Sequence, residues 1–343
     1  MRASAAVTTG AHLVIVAPGL CALPHAALRA SSALAQLAAL AAHRRDDTGM
    51  DAALVGALGV GGAHAAATMA RGAGIDTRGA HWLVADPVTL VAGIDDVMLA
   101  GRVGGLDAAA VAGIVARLDA HFAADGLAFV AAHPERWYVR MRDPAQMTTL
   151  PTDAAIGGSL YANRPRGADA RRFERFANEM QMLLHAAPEN AAREAMELAP
   201  CNGVWLWDVP PPAHAVDAVR VAAVAVAGSA GDLARGMAMV TQGEARTLDA
   251  AAMPGAFADA IAARAPTASH VVIALAPLTP ATFGEIEAGV LVPAVGALRA
   301  ARVASLTLIA DGDVTHRWRA TPPRAWQRVA AAWRRVPFVV AGE

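Results

Sequence analysis

The chain has no lysine: all 29 of its basic side chains are arginines. Without an ε-amine there is no Schiff base, no anchor for pyridoxal phosphate and no P-loop ending in Gly-Lys-Ser/Thr, so those classes are excluded. Cysteine is nearly as scarce. Cys21 and Cys201 are too few and too far apart in sequence for a disulfide framework or a Cys-rich zinc site, which fits a reducing cytoplasm, and both thiols read as buried and inert. Charged residues make up 17% of the chain and balance at 29 basic against 30 acidic, a net charge of −1 that argues against a basic nucleic-acid module. No uncharged apolar stretch of about 18 residues runs free of proline and glycine, so no membrane-spanning helix is expected. The first apolar run, His12 to Ala17, is broken by Pro18-Gly19 before it reaches signal-peptide length, and Leu20 is not the small residue a lipoprotein signal carries before its cysteine.

What is present is bulk. The 343 residues are 55% hydrophobic, enough for a substantial core in two domains or in one large domain carrying an insertion. Alanine alone is about a quarter of the chain, a bias that together with the missing lysine points to a GC-rich genome. Compact apolar runs at His12–Ala17, 219–227, 271–276 and 306–310 read as buried strands, and helical patterns lie between them, such as the one through Leu34, Leu37 and Leu40. That alternation predicts a mostly parallel α/β sheet flanked by helices. The middle is different. Shorter strands at 81–88, 96–100 and 137–141, bounded by Asp, Gly and Pro, predict an antiparallel α+β subdomain, with helices near 111–122 and 170–186. In the second helix Phe173, Phe176, Met180 and Leu183 share a face, and Pro188 ends it. The expected organisation is a core from residues 1–75 and 166–343, interrupted by an insert at 76–165.

Several classes of chemistry find no motif. There is no Gly-x-Ser-x-Gly elbow and no His-Glu-x-x-His, so neither an α/β-hydrolase nor a zincin is indicated. Gly228-Ser229-Ala230-Gly231 offers amides that cradle phosphate in other proteins, yet it lacks a full dinucleotide fingerprint and reads rather as an ordinary strand-to-helix turn. Asp311, Asp313 and His316 follow an apolar strand, where α/β proteins place ligands; they form either a divalent-metal site, for Mn or Zn, or a solvated Asp-Gly turn. Arginine and tryptophan interleave from Arg317 to Arg335, and Trp326, Val329 and Trp333 have the spacing of one packed helical face. Around Trp205 and Trp207, at i and i+2 of one strand face, lie Asn190, Arg193 and Asn202, and with Arg136 from His133-Pro134-Glu135-Arg136-Trp137-Tyr138 these six residues either wall a polar ligand pocket or staple the insert in place.

Three blocks carry a family resemblance: Trp82 to Pro87 (WLVADP), His133 to Met141 (HPERWYVRM) and Asn178 to Trp207. They resemble the RpfE-type regulatory proteins, a bacterial family itself similar to the archaeal-type cofactor-independent phosphoglycerate mutases of the alkaline phosphatase superfamily. The resemblance implies an alkaline-phosphatase-like core with an inserted domain. It also implies metal ligands that this sequence lacks. The first strand of the enzymes ends in a metal-binding Asp, and here the stretch is Ile15-Val16-Ala17-Pro18-Gly19-Leu20; a later Asp-x-x-Gly-His motif corresponds to Ala274-Leu275-Ala276-Pro277-Leu278; of the final Asp-His pair only Asp311 remains, beside Gly312. The regulatory family's His-Pro-Val-Asn is replaced by Ala187-Pro188-Glu189-Asn190, and Asp208-Val209-Pro210 follows the double tryptophan in place of glycines. The expectation is a cytoplasmic, catalytically silent relative without a cofactor. It would bind a small phosphorylated or acidic ligand or a protein partner, and neither nucleic acid nor membrane. A metal-dependent phosphotransferase or phosphohydrolase, or a purely structural interaction protein, are the alternatives.

Overall fold

The computed structural model describes residues 10–60, 64–93, 96–210, 219–249, 252, 269–312 and 314–323. The chain divides into two compact units, one combining the residues before 62 with those after 213, the other spanning 62–213. The inserted unit is therefore longer at both ends than the 76–165 read from composition. Residues 166–213, expected in the core, supply the helix Ala170–His185 and the strand Gly203–Trp207 to the inserted unit's own hydrophobic cluster.

The first unit is a mixed α/β layer structure around a seven-stranded sheet of order β2-β12-β11-β1-β10-β8-β9. Its strands are β1 (His12–Ala17), β2 (Ala42–Asp46), β8 (Val221–Val226), β9 (Ala245–Leu248), β10 (His270–Ala274), β11 (Ser305–Ala310) and β12 (Thr315–Ala320). β11, β1, β10, β8 and β9 are parallel neighbours, and β12 runs antiparallel to both β11 and β2. β11, β1, β10 and β8 are apolar on both faces because helices cover both, whereas β9 at the edge is mostly exposed. Leu13, Ile15 and Ala17 pack with Leu34 and Leu37 of helix Ser32–Leu40 and with Phe283, Val290 and Leu298 of helix Pro280–Arg299. The opposite face carries Val14, Val16 and Val272, and helix Met50–Leu58 lies against β1, β11 and β12.

Pro280–Arg299 is, by length and composition, apolar enough to cross a membrane, which the sequence reading did not anticipate. Its buried side chains belong to the sheet's core cluster, so its hydrophobicity already has a use. Pro293 removes one amide donor from this helix, and the preceding turn, Glu287–Leu291, is wound as π-helix. Side chains fix two helix starts nearby: Thr279 and Thr282 form a reciprocal capping box, and Ser31 accepts from the Leu34 amide while donating to Glu287 at 2.6 Å.

The second unit is an antiparallel sheet of β4 (Val97–Arg102), β3 (His81–Ala92), β6 (Arg136–Met141) and β5 (Leu127–His133), with β7 (Gly203–Trp207) also paired to β3. Helices Ala108–Phe122 and Ala170–His185 pack on one face through Phe122, Phe129, Phe173 and Phe176, whose rings meet at centroid distances of 5.5–6.2 Å. On the longer helix Leu184 takes the fully buried place expected of Leu183, which packs at the margin. The chain turns after His185 and starts a new helix with Pro188 in its first turn, where a missing amide costs nothing.

Candidate functional site

Two places gather the polar side chains singled out above: the carboxyl edge of the parallel sheet in the first unit, and the buried face of β3 that carries Asp86 in the second.

At the carboxyl edge the loops after three adjacent strands are tied to one another. The Leu275 amide donates to the Val16 carbonyl at 3.0 Å, the Leu278 amide to the Pro18 carbonyl at 2.7 Å, and the Gly19 amide to Asp311 Oδ1 at 2.6 Å. Gly19 is fixed as glycine: its φ is 77°, and a Cβ there would lie 2.7 Å from the Leu278 carbonyl oxygen. His316 is completely buried; its Nδ1 lies 3.0 Å from His43 Nε2, and both rings stack with Trp318. Burial pushes the His43 imidazole below its usual pKa, with His316 and Arg45 adding to the effect. Asp313 lies outside the described residues, as do Arg324, Trp326, Arg328, Trp333, Arg334 and Arg335.

A two-cation centre needs several acid and imidazole donors converging on one place. Among the described residues no group of three or more His, Cys, Asp or Glu side chains is arranged to hold a metal ion. Ala17-Pro18 and Leu275-Ala276-Pro277 contribute no donor side chain, and Asp311 is engaged by the Gly19 amide.

The turn after β8 is built from below. Arg235 donates to the carbonyls of Val226 (2.6 Å) and Gly228 (2.9 Å) and to the buried carboxylate of Asp232. Asp232 also stands in the first turn of helix Asp232–Val240, where its charge competes with any incoming phosphate.

In the second unit the centre is Asp86, a wholly buried carboxylate in mid-strand. Side chains alternate along a strand, so the register that sets Asp86 opposite Trp205, Val84 opposite Trp207 and Val88 opposite Arg102 places these residues on one face. Arg136 Nε donates to Asp86 Oδ1 at 3.2 Å; Oδ2 accepts from Arg102 Nε at 3.2 Å, Trp207 Nε1 at 3.0 Å and Thr152 Oγ1 at 2.5 Å. The Arg136 guanidinium also sits 5.7 Å from the Trp207 ring centroid. Burial alone would push this carboxyl up, but Arg136 and Arg102, helped by the hydroxyl and the indole, hold it below the usual carboxylate range.

No family model and no curated protein matches the chain. Among solved structures it is similar to a cofactor-independent phosphoglycerate mutase from Thermoplasma acidophilum DSM 1728, with 14% identity, 91% of this chain and 90% of that one covered, and a TM-score of 0.42. It is also similar to the PH0037 protein from Pyrococcus horikoshii, with 14% identity, coverages of 91% and 87%, and a TM-score of 0.46.

The six residues expected to wall a pocket or staple the insert fall into three groups. Arg136 and Trp207 meet at Asp86. Asn190 donates to the Leu184 and Cys201 carbonyls and accepts from the Cys201 amide, while Arg193 spans the carbonyls of Ala199, Gly104 and Gly105. Asn202 pairs with the amide and carbonyl of Leu90 as a strand residue would, and Trp205 donates to the Leu150 carbonyl. Each of these bonds closes one loop or strand of the unit on another. Asp86 itself, with Arg102 and Thr152, was missed by the sequence reading, although the signal was there: it is the lone charged side chain in the twelve-residue strand His81–Ala92, and a charge in such a place must find partners.

Proposed function

We propose that this chain is a catalytically silent, phosphoglycerate-mutase-like protein that acts in the cytoplasm by binding, as a regulator responding to a small phosphorylated or acidic ligand or to a protein partner. It works without a cofactor, and apart from nucleic acid and membranes. The observation that supports this best is the closure of the carboxyl edge, where Asp311 is turned onto the Gly19 amide and the neighbouring loops offer backbone and apolar side chains. An enzyme of phosphoryl transfer keeps that edge open for cations and substrate.

The test is turnover of phosphoglycerate and of a generic phosphate ester by the full chain, supplied in turn with Mn²⁺ and Zn²⁺. The expected result is no turnover above the protein-free blank. Metal-dependent turnover that disappears in Asp311→Ala overturns the proposal and installs the metal-dependent phosphotransferase built on Asp311, Asp313 and His316.

A further inference from the structure

The amino edge of the parallel sheet carries a cluster that neither the motifs nor the resemblance touches. The strand register sets His12 of β1 between His270 of β10 and Ser305 of β11. The two imidazoles lie with ring centroids 5.0 Å apart and planes tilted by 31°. Each is oriented through Nδ1: His12 by the Ser305 hydroxyl at 2.8 Å, His270 by the Ser269 hydroxyl at 3.2 Å. Ser269 is held in turn by the backbone of Arg220. On β12 the exposed Arg319 pairs with Thr307, two residues along β11 from Ser305 and therefore on the same face as the histidines.

The charges around the pair are of one sign. Arg319 acts on both rings, His12 acts on His270, and among the described residues no carboxylate acts on either. Of the helices on this face, Met50–Leu58 brings only Asp51, in its first turn at the far edge of the sheet, and Asp232–Val240 brings Asp232 and Arg235, which pair with each other. Both rings are only half-buried, so a solute reaches them.

The guanidinium's charge disfavours a cation at these rings, and the imidazoles gain a strong partner if a dianion arrives with protons. We propose that His12, His270 and Arg319 form a binding site for a small tetrahedral oxyanion of the phosphate or sulfate class, and that binding there takes up protons. This site stands apart from the carboxyl edge and does not depend on whether that edge is catalytic.

Sulfate is the appropriate probe, because it remains a dianion across the range in which histidine titrates. Calorimetric titration of the full chain with sodium sulfate is expected to show binding about ten-fold tighter at about pH 5 than at about pH 7. In Arg319→Gln, an exposed position whose loss leaves the fold intact, affinity at the lower pH should fall by about ten-fold. The double variant His12→Gln/His270→Asn should bind with no pH dependence. Equal sulfate affinity at both pH values, unchanged affinity in Arg319→Gln, no sulfate binding at all, or Zn²⁺ binding at neutral pH that the double variant abolishes would each overturn the proposal.

Discussion

The antiparallel unit and the amino edge of the parallel sheet handle charge in opposite ways. In the first, a buried acid and an exposed histidine each meet their opposite within the unit: Asp86 lies between Arg136 and Arg102, and His64 Nδ1 lies 2.5 Å from Asp208 Oδ2. At the amino edge His12, His270 and Arg319 gather without an acid among the described residues. A buried charge whose partners are all internal has been used up by folding. A cluster of one sign that solvent can reach still has something to bind, and the sheet holds it in place through neighbouring strands that are stable for other reasons.

The sharpest way to break this comparison is to remove the acid at the centre of the antiparallel unit. Asp86→Ala takes away the buried carboxylate that Arg136 and Arg102 share and the acceptor of the Trp207 indole and the Thr152 hydroxyl. Chemical denaturation should show a loss of about 3–5 kcal/mol, the cost of breaking a buried ion pair by removing one partner. Trp207→Phe keeps an aromatic ring but takes away one donor and leaves part of the buried indole's volume empty, and should cost less, about 1–2 kcal/mol. Similar losses in the two variants would mean that Asp86 is held by packing and not by its ion pairs.

The histidines offer a second contrast, of opposite sign in the two units. Burial, helped by His12 and Arg319, pushes His270 down from 6.5 to about 4. The unfolded chain then takes up the proton first, so this group's contribution to stability is whole above pH 6.5 and is lost as the pH falls towards 4. His64 behaves the other way. The hydrogen bond to Asp208 raises its pKa above 6.5, against the effect of burial, so its contribution is whole below 6.5 and is lost as the pH rises through the folded value. Thermal melts across this range should give a flatter acid limb for His270→Asn than for the parent chain, and a loss confined to the acid side for His64→Asn. Parallel curves for all three proteins would remove the distinction.

How much of this was legible in the sequence follows from what each strand buries. β1, β10 and β11 are apolar on both faces and stand out as runs; β2 (Ala-His-Arg-Arg-Asp), at the edge, and β12 (Thr-His-Arg-Trp-Arg-Ala), between β2 and β11, are polar strands that carry no such signal, and β12 joins the sheet by pairing with β11 and β2 by pairing with β12. The limits of the inserted unit were misplaced for a related reason. Helix Ala170–His185 is amphipathic, and its apolar stripe does not say which core it faces; Phe173 and Phe176 settle that only by meeting Phe122. Arg136 and Trp207 could be picked out as unusual, but not the residue that joins them, because Asp86 is 50 positions from one and 121 from the other. His12 and His270 are separated further still and read, one at a time, as ordinary first residues of strands.

The smallest effect should come where a strongly shifted acid does least. Asp76 accepts from Arg78 Nε at 2.9 Å and Nη2 at 2.8 Å, and this contact holds its carboxyl down to about 2. By that measure alone it would rank beside Asp86. Yet both partners are exposed, with 84% and 63% of their side-chain surfaces open to water, and they are two residues apart, so the bond forms in the unfolded chain almost as readily as in the folded one. Asp76→Asn should therefore leave the denaturation midpoint where it was, at low salt and at high. A clear loss of stability in that variant would show that the depth of a pKa shift, and not the burial of its partners, separates structural acids from idle ones.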